Sequence, residues 1–155
     1  MEINKEARRK ITQRLNEYTD FGRMLTEIEE ELSTTSADEN STIKSKYKIS
    51  RSTENFVIRL EMNKRYQELR AWKKLLDNLF IEYDKKSLKW QFIQRRYILQ
   101  DTLYYKIPHY REIKDVDVFR DFELEGHTYC ERTYKRLKEE IIADVYKEAI
   151  KINIF

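Results

Sequence analysis

Apolar residues recur at helical spacing in two long segments, residues 6–32 and 54–83. In the first segment they lie three or four residues apart, which is typical of one buried stripe on an α-helix: Ile11, Leu15, Tyr18, Phe21, Leu25, Ile28 and Leu32. The second segment has a similar stripe: Val57, Leu60, Tyr66, Leu69, Trp72, Leu75, Leu76, Leu79 and Tyr83. Residues 33–53 are rich in Ser and Thr and lack this periodicity, which predicts a loop. We therefore expect residues 1–84 to form a helical hairpin around that loop.

The C-terminal half of the chain predicts shorter helices. A helix over residues 88–100 follows Ser87, a residue type that favours the N-cap position. Pro108 interrupts any helix in the irregular residues 101–113. Another helix is predicted at residues 115–124, with three apolar residues facing inward: Val116, Phe119 and Phe122.

A final helix follows the predicted turn at residues 125–127. Thr128 and Glu131 have the spacing of a capping box, in which each side chain accepts from the backbone N–H of the other residue. The helix is expected to continue to about residue 150 with a buried stripe: Tyr134, Leu137, Ile141, Val145 and Ala149. A short helix, a turn containing Gly and a second capped helix are typical of a helix-turn-helix. The predicted fold class is therefore all-α, with an N-terminal helical hairpin and a C-terminal helix-turn-helix bundle over residues 85–155.

The composition favours helices and also reveals a segregation of charge. The chain of 155 residues contains only 2 Gly and 1 Pro, while 38% of its residues are charged. The net charge is only +3, but residues 85–111 carry seven bases and one acid, whereas residues 112–125 carry six acids and two bases. Such segregation indicates a basic face for a polyanion. Solvated helix faces would produce the same pattern.

The final predicted helix carries the candidate DNA-binding residues. If its apolar stripe faces inward, five polar residues remain outside: Glu131, Arg132, Lys135, Arg136 and Lys138. Arg and Lys can donate to guanine O6 and N7 or to phosphate, and Glu can accept from cytosine N4. An ordinary amphipathic helix would fit the same spacing, because helix-turn-helix patterns are loose. Lys89, Arg95 and Arg96 on the predicted helix 88–100 are further candidates for phosphate contacts.

The run Cys130-Glu131-Arg132-Thr133-Tyr134-Lys135-Arg136-Leu137-Lys138, with Glu139-Glu140-Ile141-Ile142 after it, resembles the end of the ArpU/RinA-like phage transcriptional regulators. That family closes with the motif S-x-R-T-(Y/V)-x-R-(L/I)-K and resembles sigma-factor region 4. The resemblance implies DNA contacts by Arg132, Thr133, Lys135 and Arg136, and activation of late or packaging genes in a phage or prophage. The chain departs from the family at Cys130, where the family has Ser. It also departs in residues 101–125, which are aromatic and acidic rather than rich in small residues.

Other kinds of function receive little support from the sequence. His109, His127 and Cys130 are the only histidines and cysteine, and neither a metal-ligand spacing nor a Gly-rich loop accompanies them. We expect no enzymatic activity, no bound metal and no cofactor. A lone cysteine, an N-terminus without an apolar signal region and no apolar run of membrane-spanning length predict a cytoplasmic protein with no membrane contact. The resemblance implies that this is the cytoplasm of a bacterial host.

The expected partner is double-stranded DNA. The N-terminal hairpin would dimerise with a second copy or contact RNA polymerase. The alternative is a helical protein–protein interaction module that acts on a host or phage partner without binding DNA. A binding affinity that falls steeply with salt would favour DNA over that alternative.

Overall fold

The computed structural model describes residues 2–39, 46–98, 114–126 and 130–155. In chain order its elements are α1 (Lys5–Glu17), a 3₁₀ turn (Tyr18–Asp20), α2 (Phe21–Glu39), α3 (Lys46–Met62), α4 (Lys64–Glu82), α5 (Leu88–Ile93), a π-helical turn (Gln94–Ile98), α6 (Asp115–Leu124) and α7 (Glu131–Lys151). No strand occurs within these residues, and the predicted all-α helical bundle is confirmed.

Short polar side chains mark the starts of three helices. The Ser87 hydroxyl accepts from the Trp90 N–H at 3.1 Å, which confirms the predicted N-cap of α5. The side chain of Asn4 caps α1 in the same way at 2.7 Å. The Asn63 side chain accepts from the Tyr66 N–H at 2.9 Å and separates α3 from α4.

Both long helices predicted from the apolar stripes are interrupted in the structure. The first gives way to the 3₁₀ turn at Tyr18–Asp20, and the second breaks at Asn63. Tyr, Thr, Asp and Asn have modest helix propensity, and an apolar stripe can continue through a single tight turn. In the first break, the Tyr18 hydroxyl donates to the Asp77 carboxylate at 2.5 Å.

The prediction of a loop at residues 33–53 is wrong for most of these residues. Helix α2 continues through Glu39, and α3 begins at Lys46. This stretch contains neither Gly nor Pro. Ser and Thr lower helix stability by only tenths of a kcal/mol per residue relative to better helix formers, so loss of apolar periodicity alone did not indicate a loop.

The chain divides into two compact units, and neither boundary falls at the predicted division after residue 84. One unit contains Met1–Thr19 and Leu75–Phe155, and the other contains Asp20–Lys74. In the second unit α2 packs against α3. There the Tyr66 hydroxyl donates to the Glu29 carboxylate at 2.8 Å.

The unit that contains α5, α6 and α7 has an apolar core, and each large side chain fully buried there contributes about 1.5–3 kcal/mol. The predicted stripe of the final helix is confirmed, because all five members are buried: Tyr134, Leu137, Ile141, Val145 and Ala149. The predicted inner face of α6 is only partly right. Val116 is exposed, whereas Val118 and Phe122 are buried together with Asp117 and Asp121. The buried face of α6 therefore includes two aspartates and differs from the face that its apolar residues alone predict.

Candidate nucleic-acid interface

A tight turn follows α6 on the way to α7. The Gly126 N–H donates to the Glu123 carbonyl at 3.0 Å. Gly126 has φ of +89°, a conformation that costs a residue with a Cβ much more than it costs glycine. Helix α7 then begins at Glu131 with Cys130 as its N-cap, and the Cys130 side chain makes no capping hydrogen bond. Thr128, the predicted cap, and His127 lie outside the described residues, as does His109.

Stacked aromatic rings hold α6 against α7. The ring of Tyr134, in the first turn of α7, stacks on Phe119 with centroids 4.4 Å apart and on Phe122 at 5.6 Å. The Arg95 guanidinium lies 4.1 Å from the Phe122 ring centroid. Ring pairs at these separations add about 0.5–1.5 kcal/mol each beyond burial of their area. The orientation of the first turns of α7 is therefore fixed by large, rigid side chains.

Asp115 links three elements of this unit through its carboxylate. It accepts from the Arg96 Nε of the π-helical turn at 2.9 Å and from the Lys138 Nζ of α7 at 2.5 Å. Burial opposes ionisation of Asp115, but the hydrogen bonds and charges of Lys138 and Arg96 outweigh burial and lower its pKa. Asp115 is therefore a negatively charged anchor between two cations at neutral pH.

Four of the nine predicted DNA-binding residues lie in such internal ion pairs. Lys89 contacts Asp144 at 3.0 Å, Arg95 contacts Glu125 at 2.5 Å and Asp121 at 3.4 Å, and Arg96 and Lys138 share Asp115. The side chains of Lys89, Arg95 and Arg96 are only 24%, 18% and 13% exposed. Within the described residues, Arg95 and Arg96 of the basic run pair with acids of α6 and the turn after it, whereas Lys89 pairs with Asp144 of α7. These three basic residues are therefore engaged inside the protein, so the segregation of charge along the chain does not by itself indicate a polyanion partner.

Three other predicted residues share the outer face of α7. Arg132, Lys135 and Arg136 are spaced three and four residues apart, so their side chains lie on one side of the helix. Arg132 is exposed and makes no ion pair within the described residues. Lys135 contacts Glu131 at 3.2 Å and Arg136 contacts Glu140 at 3.6 Å. The Lys135 and Arg136 side chains are 71% and 82% exposed, and surface pairs of this kind contribute about 0–1 kcal/mol.

Thr133 and Cys130 complete the start of this face. Thr133 is partly exposed, and its hydroxyl lies 3.4 Å from the Cys130 sulfur. Hydrogen bonds from the Thr133 side chain and backbone lower the pKa of the exposed Cys130 thiol. The contact with Cys130 places the Thr133 hydroxyl at the start of α7. The resemblance to the phage regulators implies a DNA contact for this residue.

Sequence reasoning missed one pair at this face, which joins α1 to α7. Both terminal nitrogens of Arg8 donate to the Glu139 carboxylate, one of them at 2.6 Å. The two residues are 131 positions apart, and no local pattern connects them. The structure therefore adds the start of α1 to the surroundings of the candidate interface.

Within the described residues, no group of three His, Cys, Asp or Glu side chains is arranged to hold a metal ion. None of the helices in that part of the chain is both long enough and apolar enough to span a membrane. Comparisons with protein-family models, with curated proteins and with solved structures found no match to this chain.

Proposed function

We propose that the protein binds double-stranded DNA through the outer face of α7 and regulates transcription. The observation that carries this proposal is the contrast between the basic groups of one unit. Those of α5 and the π-helical turn are paired internally, whereas Arg132, Lys135 and Arg136 project together from the first turns of α7. The first turns of the second helix are the part of a helix-turn-helix that enters the major groove.

The chemistry of this face suits base-edge recognition. Arg132 and Arg136 would donate to guanine O6 and N7, and Lys135 would bind a guanine or a phosphate. Glu131 would accept from cytosine N4, and the Thr133 hydroxyl would contact a base or a phosphate. The weak surface pairs of Lys135 and Arg136 can exchange for these contacts at little cost, because each is largely hydrated already.

Lys89, Arg95, Arg96 and Lys138 take a different role in this proposal from the one predicted. Their ion pairs hold α5, α6 and α7 together. In this proposal they position α7, the reading helix that contacts the bases, instead of binding phosphate. The resemblance of residues 130–142 to the ArpU/RinA-like regulators agrees with the proposal. It extends the proposal to activation of phage late or packaging genes, with a homodimer or RNA polymerase as further partners in the host cytoplasm.

A second candidate function is protein binding by α3. Val57, Ile58 and Met62 are exposed on this helix, with Met62 the most exposed at 76%. Apolar side chains clustered on one helix favour contact with a protein partner. A pull-down with the purified protein that recovers a protein partner but does not enrich DNA would favour this function over the first.

The proposed function can be tested by selection of bound duplexes from a random-sequence pool. The wild-type protein should enrich a defined sequence, and Arg132→Ala with Arg136→Ala should bind that sequence at least about 30-fold more weakly, because each base contact contributes about 1–3 kcal/mol. The matched control is Lys64→Ala with Arg65→Ala, which removes two exposed charges from α4. Circular dichroism should be unchanged in both variants. Equal affinity of the wild type and the Arg132/Arg136 variant, or a pool without an enriched sequence, would contradict the proposal.

A further inference from the structure

The start of α1 lies beside the outer face of α7. The two helices pack against each other, and the bidentate pair between Arg8 and Glu139 joins their surfaces. Glu139 follows Arg132 by seven residues and Arg136 by three, so it continues the same stripe of α7. Arg8 therefore reaches across to the face that carries the candidate reading residues.

An unpaired carboxylate on that stripe would repel a DNA backbone. Arg8 neutralises Glu139 with two charge-assisted hydrogen bonds, which are about twice as strong as neutral ones. The Arg8 hydrogen bond also lowers the pKa of Glu139, because the pair stabilises the ionised carboxylate. The pair removes the negative charge without removing the side chain.

Two further cations flank Arg8 on α1. Lys5 lies three residues before it and Arg9 directly after it, and both are exposed. Neither makes an ion pair among the residues that the structure describes. These cations remain available to a ligand, unlike the internally paired cations of α5 and the π-helical turn.

We propose that the first two turns of α1 form the phosphate-binding part of the DNA interface, with Lys5 and Arg9 contacting the backbone while Arg8 masks Glu139. This inference rests on the proposed function of α7, and it assigns to α1 the backbone contacts that the sequence suggested for Lys89, Arg95 and Arg96. Phosphate contacts set affinity and register on the duplex without reading sequence.

The first test measures affinity against salt concentration for Lys5→Ala with Arg9→Ala, with Lys64→Ala and Arg65→Ala as the control. Each lost phosphate contact should reduce the steepness of log K against log salt by about 0.9, hence by about 1.8 for two contacts. Affinity should fall by the same factor for the selected duplex and for an unrelated duplex. An unchanged slope in the α1 variant would overturn the inference. A wild-type protein that binds no DNA at low salt would instead overturn the proposed function itself.

The second test addresses the masking of Glu139. Arg8→Ala should weaken DNA binding, because it leaves the Glu139 charge uncompensated on the interface. Arg8→Ala combined with Glu139→Gln should recover most of that loss, and Glu139→Gln alone should bind at least as tightly as the wild type. Urea denaturation of all three variants separates binding from folding. A double variant that folds but binds no better than Arg8→Ala would overturn the masking role.

Discussion

Asp115 offers a sharp test of how the reading helix is held in place. Asp115→Asn keeps the shape of the side chain but removes the charge that faces Arg96 and Lys138. The substitution leaves two cations next to each other, and the remaining carbonyl oxygen of Asn is a weaker acceptor than a carboxylate. We therefore expect a loss of stability with no change in the exposed face of α7.

The size of the loss follows from the exposure of the three groups. Hydrogen bonds to charged groups contribute about 1.5–3 kcal/mol each, and breaking a fully buried ion pair costs about 3–5 kcal/mol. The Asp115, Arg96 and Lys138 side chains are 25%, 13% and 30% exposed, so solvent screens part of the interaction. A decrease of about 2–4 kcal/mol in the free energy of unfolding is expected.

The assay is urea denaturation followed by circular dichroism at pH 7 and then at decreasing pH. The control is Glu148→Gln, which removes the partner of the exposed Lys151 and should change stability by less than about 1 kcal/mol. The difference between the wild type and Asp115→Asn should narrow as the pH falls below about 4, because the unfolded wild type then takes up a proton at Asp115 before the folded protein does, and the advantage of the lowered folded pKa is progressively lost. A loss no larger than that of the control, or a difference that does not depend on pH, would refute the role of Asp115.

Three further predictions concern pH, the turn and the core. The pKa values of Asp115 and Glu139 are lowered in the folded protein. The stability that these carboxylates contribute is therefore present above their unfolded pKa values of about 4 and is lost as the pH falls through the folded values. Equal stability at pH 7 and pH 3 in urea denaturation would contradict this prediction. Gly126→Ala should destabilise the protein by about 1 kcal/mol or more, because Gly126 has a positive φ. Gly22→Ala lies in a helix with open space around the new Cβ and should stabilise the protein by about 0.5 kcal/mol. The two variants should therefore shift the thermal unfolding temperature in opposite directions. Phe122→Ala should cost about 3–5 kcal/mol in urea denaturation, because the ring is fully buried, and a cost below 1 kcal/mol would contradict the stacking with α7.

Local signals in the sequence predicted part of the C-terminal helices, but not the π-helical turn after α5, the buried face of α6 or Cys130 as the N-cap of α7. The bounds of α6 match the predicted residues 115–124, and the Ser87 cap and the buried stripe of α7 are as expected. These features depend on residues within one or two turns of one another. The break at Asn63 and the helices through the Ser/Thr-rich stretch were not predicted, because apolar periodicity reports which residues are buried and not where a polar helix ends.

The candidate site was predicted less completely, since its pairing partners are distant in sequence. Arg96 and Asp115 are 19 residues apart, Lys89 and Asp144 are 55 apart, and Arg8 lies 131 residues before Glu139. A basic run and an acidic run can pair with each other or bind outside ligands, and composition does not distinguish these outcomes. The fold decides which cations remain for a partner.

The most direct measurement uses Cys130, which is the only cysteine, is exposed and lies at the start of α7. An iron chelate attached to the Cys130 sulfur would cut the DNA backbone close to the start of α7. On the selected duplex, we predict cleavage confined to a few bases within the bound sequence. The labelled protein with Arg132→Ala and Arg136→Ala should lose this pattern, and reagent-treated Cys130→Ser protein supplies the background. Cleavage no stronger than this background while the duplex is bound would contradict the assignment of α7 as the reading helix.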